Sequence, residues 1–104
     1  MDSLLQDLQK TIGALEKLAE KPATASEQLD ELLDQLFQQK TDLAKLQLNA
    51  SAPVYQQALN AIRQASGKSD RAVKDPGKIG EMIPAVNDAI GKLAKLLDHL
   101  APID

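Results

Sequence analysis

Gly67, Lys68 and Ser69 stand in a row, the last three letters of a phosphate-binding P-loop. The full motif, G-x-x-x-x-G-K-[ST], needs a second glycine five residues earlier. Successive backbone N–H groups can then wrap a phosphate at the head of a helix. Position 62 is isoleucine. The preceding run, VYQQALNAIRQAS, repeats apolar residues at helical spacing, not at the spacing of the strand a P-loop follows. Nucleotide binding is therefore not expected. Gly67 reads as the glycine that stops a helix, with a solvated lysine after it.

His99 is the single histidine, and histidine is the usual choice for acid–base work and for zinc. Its neighbours are Asp98 and, further on, Asp104, with no further ligands at supporting spacing. Histidine phosphotransfer bundles place their histidine mid-helix, with a lysine and a small residue following; here Leu100, Ala101 and Pro102 follow, so the pattern does not match. A surface histidine at a helix C-terminus accounts for it. Asp30, Glu31 and Asp34 put three carboxylates within two turns. They lie beside the leucine stripe of their segment and not on it, whereas di-metal bundles need carboxylates projecting into the core. They read as a solvated face near a helix N-terminus. No catalytic residue, cofactor site or metal site is expected.

Charge is distributed unevenly. The chain carries −3 overall, but residues 1–34 hold eight acids against three bases. Residues 62–78 hold five bases, Arg63, Lys68, Arg71, Lys74 and Lys78, against Asp70 and Asp75. These five cations are the candidate partner-binding residues, either steering a partner or facing the acidic N-terminal third. Nucleic acid is not the expected partner, because the chain is acidic overall and no aromatic interleaves with the cations for stacking.

These residues have to be positioned by helices, because four segments show helical periodicity. The expected ranges are 3–20, 25–49, 53–66 and 77–101. In the first, Leu5, Leu8, Ile12, Leu15 and Ala19 form a stripe, and Ser3 with Gln6 offers a capping box. The second opens on TASE, a capping box of Thr24 and Glu27, and carries Leu29, Leu32, Leu36, Leu43 and Leu46, widened by Leu33, Phe37 and Leu48. Gln39 sits in that seam, where a polar residue lowers stability and fixes register. NASAP then breaks the helix; its Asn-Ala-Ser matches a glycosylation acceptor but reads better as a turn. The third stripe is Val54, Ala58, Ile62 and Ala65, with Tyr55 and Leu59 beside it, ending at Gly67. The fourth is the most regular: Ile79, Ile83, Val86, Ile90, Leu93, Leu97 and Leu100. Asp75-Pro76 suits its start, and Pro84 inside it predicts a kink or a short lead-in helix.

Each stripe must be buried, so the expected fold is all-α: a single-domain, four-helix up-and-down bundle with a short third helix and a kinked fourth. With no cysteine or tryptophan, and Phe37 and Tyr55 the only aromatics, the core must be aliphatic. No apolar run approaches the ~20 residues that span a bilayer. AIGKLAKLLDHL resembles an interfacial helix, but Asp88 and Asp98 offset its lysines, so membrane binding is not expected. MDSLLQDLQK lacks the layout of a signal peptide, and a cytoplasmic location is expected. No family motif is legible. The expected function is non-catalytic, a protein–protein interaction or adaptor module acting through a helical surface. The partner would be a protein of unspecified identity or a second copy in a homodimer. The competing expectation is a bundle that holds a small ligand or lipid between its helices.

Overall fold

The structure is a computed structural model and describes residues 3–100. It is all-α: α1 (Ser3–Glu20), α2 (Glu27–Ala44), α3 (Pro53–Lys74), a 3₁₀ turn (Pro76–Lys78) and α4 (Ile79–Leu100). No strand occurs among the described residues. Leu, Ala, Gln, Lys and Glu, which lose little freedom in a helix, dominate α1 and α2 and make up nearly half of α3 and α4. Each buries one arc. The overall extents, 45 × 23 × 22 Å, describe a prism of square cross-section.

The helices occupy the corners of that square in the order α1, α2, α4, α3. α1 packs on α2 and α3, and α4 packs on α2 and α3. The diagonal pairs α1/α4 and α2/α3 have no Cα atoms within 8 Å of each other among the described residues. Chain direction still alternates up and down. Lys40 of α2 reaches Gln9 of α1, and Thr24 reaches Leu18, which makes α1 and α2 antiparallel. Asp7, early in α1, meets Arg63 of α3, while Lys17 and Val73, both late in their helices, line one groove. α1 and α3 are therefore parallel neighbours, and residues 45–52 cross one end of the bundle on the diagonal.

The helix ends correct several expectations. The N-cap of α1 lies outside the described residues. The N-cap of α2 is Ser26, not Thr24: the Ser26 hydroxyl accepts from the Leu29 N–H at 3.1 Å. Thr24 is engaged at the other helix, where its hydroxyl donates to the carbonyls of Leu18 and Lys21 and satisfies the frayed end of α1. α2 stops at Ala44, five residues before the expected boundary at 49, since the chain must leave the helix to reach the far corner. Leu48 and Ala52 pack against the core from that crossing. Asn49 then forms a turn, its Oδ1 accepting from the Ser51 N–H and hydroxyl at 3.1 and 2.7 Å.

The third helix is not short. It runs 22 residues, through Gly67, to Lys74. No glycine among the described residues has positive φ, so Gly67 is no C-cap. What carries the helix past it is a continuing buried line of small residues, Ala65, Ser69 and Ala72. Asp75 closes α3 and opens the next turn: its N–H donates to Arg71 O at 2.8 Å, and its Oδ1 accepts from the Gly77 N–H at 3.1 Å. The 3₁₀ turn precedes α4, and α4 runs from Ile79 through Pro84 to Leu100 as one helix, so no separate short helix ends at the proline.

The core is contiguous, with members from all four helices, and is aliphatic apart from Met82 and the buried ring of Tyr55. Its line on α4 is rotated from the expected stripe. Met82, Val86, Ala89, Leu93 and Leu96 are buried, whereas Ile79, Ile83, Ile90, Leu97 and Leu100 are half-buried at its margin. The α3–α4 contact is the most extensive in the bundle, and alanines at 58, 61, 65 and 72 on α3 leave room for close approach. On α1, Leu4, Thr11 and Leu18 are buried where Leu5 and Ala19 are only half-buried. Thr11 returns its hydroxyl to Asp7 O at 2.9 Å. Phe37, expected to widen the α2 stripe, is 41% exposed.

Candidate functional site

The Gly67-Lys68-Ser69 triplet lies inside α3, so its backbone donors belong to the helix and do not form a cradle. Around Gly67 the polar side chains matter more. Arg63, Gln64, Lys68 and Arg71 follow one another at spacings of one, four and three residues, which returns them to one outward face. They ring a shallow depression of about 240 Å³ over the glycine. A Cβ placed on Gly67 would meet nothing within 4 Å, so the glycine opens directly onto the hollow. A larger open groove, about 510 Å³, adjoins it between α1 and α3. Lys10, Gly13 and Lys17 of α1 and Gly67, Asp70 and Val73 of α3 are among its lining residues.

The structure thus gathers three of the five expected cations and separates two. Arg63 is partly committed to the fold, with its Nε 3.2 Å from Asp7 Oδ2. Lys68 and Arg71 carry no ion pair among the described residues. Lys74 pairs with Asp70 at 3.3 Å on the same helix, and Lys78 with Glu81 at 3.6 Å beyond the turn. Both contacts are solvent-exposed and hold their partners weakly. Lys10 and Lys17 join the basic surface from α1, which the sequence did not indicate. They fall in the acidic N-terminal third, and only the parallel packing of α1 on α3 brings them alongside.

The acidic third meets the basic segment only through α1, where Asp7 pairs with Arg63; its more acidic helix, α2, does not. α2 carries five acids and one base, and α3 carries four bases and one acid. These two helices stand at opposite corners and never meet. Asp30, Glu31 and Asp34 are exposed, and none of them carries an ion pair among the described residues. The bundle is therefore charged oppositely on two opposing edges.

Compared with protein families, curated proteins and solved structures, this chain has no match.

Its own chemistry is what remains. No group of three or more His, Asp or Glu side chains able to hold a metal occurs among the described residues. His99 is exposed in the last turn of α4. No helix among the described residues is long and apolar enough to cross a membrane. What the basic face offers is a set of guanidinium and ammonium donors on a rigid helix, above a hollow that lets another surface come close.

Proposed function

We propose that this chain is a non-catalytic binding module whose docking face is the outer side of α3, and that its partner presents an acidic protein surface. The observation that carries the reading is the gathering of Arg63, Lys68 and Arg71 around Gly67, with only Arg63 paired, to Asp7 of α1, and the most acidic helix, α2, diagonally opposite. Guanidinium groups fork onto carboxylates and are the favoured cations at interfaces. Side chains fixed on a packed helix lose less freedom on binding than those of a loop. The cytoplasmic location expected from the sequence belongs to the same proposal.

Affinity capture from the native host tests it, with wild type, Lys68→Glu/Arg71→Glu and a control, Lys45→Glu/Lys95→Glu, whose exposed lysines are not on α3. The expected result is a partner held by wild type and control at low salt and lost by the α3 variant. A partner retained equally by all three proteins would overturn the assignment of the face.

A further inference from the structure

We infer that the acidic partner of the α3 face is α2 of a second copy of this chain, docked head to tail. The inference rests on α3 being the docking face. It adds the occupant.

Charge complementarity is the first argument. Glu27, Asp30, Glu31 and Asp34 recur at spacings of three, one and three, which sets them on one exposed face of α2. Along the axis they span about 10 Å at ~1.5 Å per residue. Arg63 to Arg71 on α3 spans about 12 Å by the same rule. Two fields of opposite sign and near-equal length thus lie on one molecule, on helices that cannot touch each other. Only another molecule can bring them together.

Relief is the second argument. Phe37 is the one large hydrophobic residue exposed among the described residues, and it follows Asp34 by three positions and Asp30 by seven. It therefore rises from the acidic side of α2. The α3 face has the converse shape, a hollow at Gly67 continuing into the groove floored by Gly13. An aromatic anchor entering a pocket, ringed by charged contacts, is the usual build of a binding hot spot.

Placement decides the symmetry. The two surfaces lie on opposing edges, so a docked copy leaves its own α3 face, or its own α2 face, free for the next. Such heterologous contacts do not close as a two-fold pair does; they build a ring or an open chain, according to the rotation between copies. Assembly then runs past two copies, and the homodimer expected from the sequence becomes its first step.

Sedimentation velocity over a range of concentrations tests this with four proteins: wild type, Lys68→Glu/Arg71→Glu, Glu31→Lys/Asp34→Lys, and the quadruple variant. All the substituted residues lie on the outer sides of helices, and circular dichroism verifies that each variant is folded. Wild type is expected to associate at low salt and to dissociate near 1 M, where the screening length is about 3 Å. Each double variant alone should be monomeric. Mixed in equal amounts they should associate, because the first now has two acidic faces and the second two basic ones. The quadruple variant should associate by itself. Phe37→Ser should weaken wild-type assembly about tenfold. A mixture that stays monomeric, or a wild type that stays monomeric at millimolar concentration, overturns the inference. Titrating short poly-L-glutamate into wild type, followed by amide NMR, separates the two levels. Salt-sensitive shifts at Lys68 and Arg71 in a strictly monomeric protein would remove the second copy and leave the docking face. No shift and no association would remove both.

Discussion

Gln39 on α2 donates from Nε2 to the main-chain carbonyl of Ile90 on α4 at 2.9 Å, while no protein donor reaches its Oε1. The side chain is 8% exposed. One seam residue therefore gives a cross-helix hydrogen bond and leaves a buried acceptor unsatisfied. An unsatisfied buried group costs about 1–3 kcal/mol, whereas a typical hydrogen bond nets about 1. Gln39→Leu should accordingly leave stability unchanged or raise it by about 1 kcal/mol, as measured by urea unfolding. A loss above about 2 kcal/mol would mean that the amide is fully satisfied.

Gly67 and Gly13 stand in helix interiors, with no positive φ and nothing within 4 Å of an added Cβ. Alanine at either site should stabilise the bundle by about 0.5–1 kcal/mol, because glycine is the poorer helix former. The sign for Gly67 discriminates between structures. Were it a left-handed helix stop, alanine would destabilise, and thermal melting of Gly67→Ala distinguishes the two.

Leu36 and Leu93 are fully buried in the middle of α2 and α4. Leu→Ala at either should cost about 2–5 kcal/mol. Ile90→Ala should cost less, since that side chain is only half-buried. Equal losses at Leu93 and Ile90 in chemical denaturation would put the core on the stripe read from periodicity, and not on the line through Met82 and Leu96.

Arg63 and Asp7 form the one ion pair between helices among the described residues, with the arginine side chain 56% exposed. A double-mutant cycle through Arg63→Ala and Asp7→Ala should give a coupling below about 1 kcal/mol. Salt should reduce it further. A larger coupling would make this pair a main determinant of how α1 aligns with α3.

Much of the bundle was legible because helical periodicity reports burial directly. Leu8, Ile12, Leu15, Leu36 and Leu93 were all assigned to the core by spacing alone, and all are fully buried. Spacing gives the stripe but not which neighbour covers it. Where a helix has neighbours on two sides, the buried arc is broad and its centre is set by the closer contact, so the line on α4 turned away from Ile83 and Leu97. Gly67 misled for a related reason. Glycine disfavours a helix by about 1 kcal/mol, which the burial of Ala65, Ser69 and Ala72 against α1 and α4 outweighs. That packing is tertiary and invisible in the local pattern. Of the candidate site, Arg63, Lys68 and Arg71 were legible as a run of charge. Lys10 and Lys17 were not, because their place beside α3 depends on which helices are neighbours.

The diagonal crossing at residues 45–52 bears on how the chain is made. Asp7 and Arg63 meet across 56 residues of sequence, and α1 packs more extensively on α3 than on the α2 that follows it. During synthesis from the N-terminus, α1 and α2 emerge with one flank of each still bare, and no early turn covers them. Contacts of long sequence separation form late because a large loop must close before they hold. A nascent chain halted after Ala44 would leave the α3-facing side of α1 uncovered. Most of the packing on α1 and α2 would form only once α3 and α4 have left the ribosome.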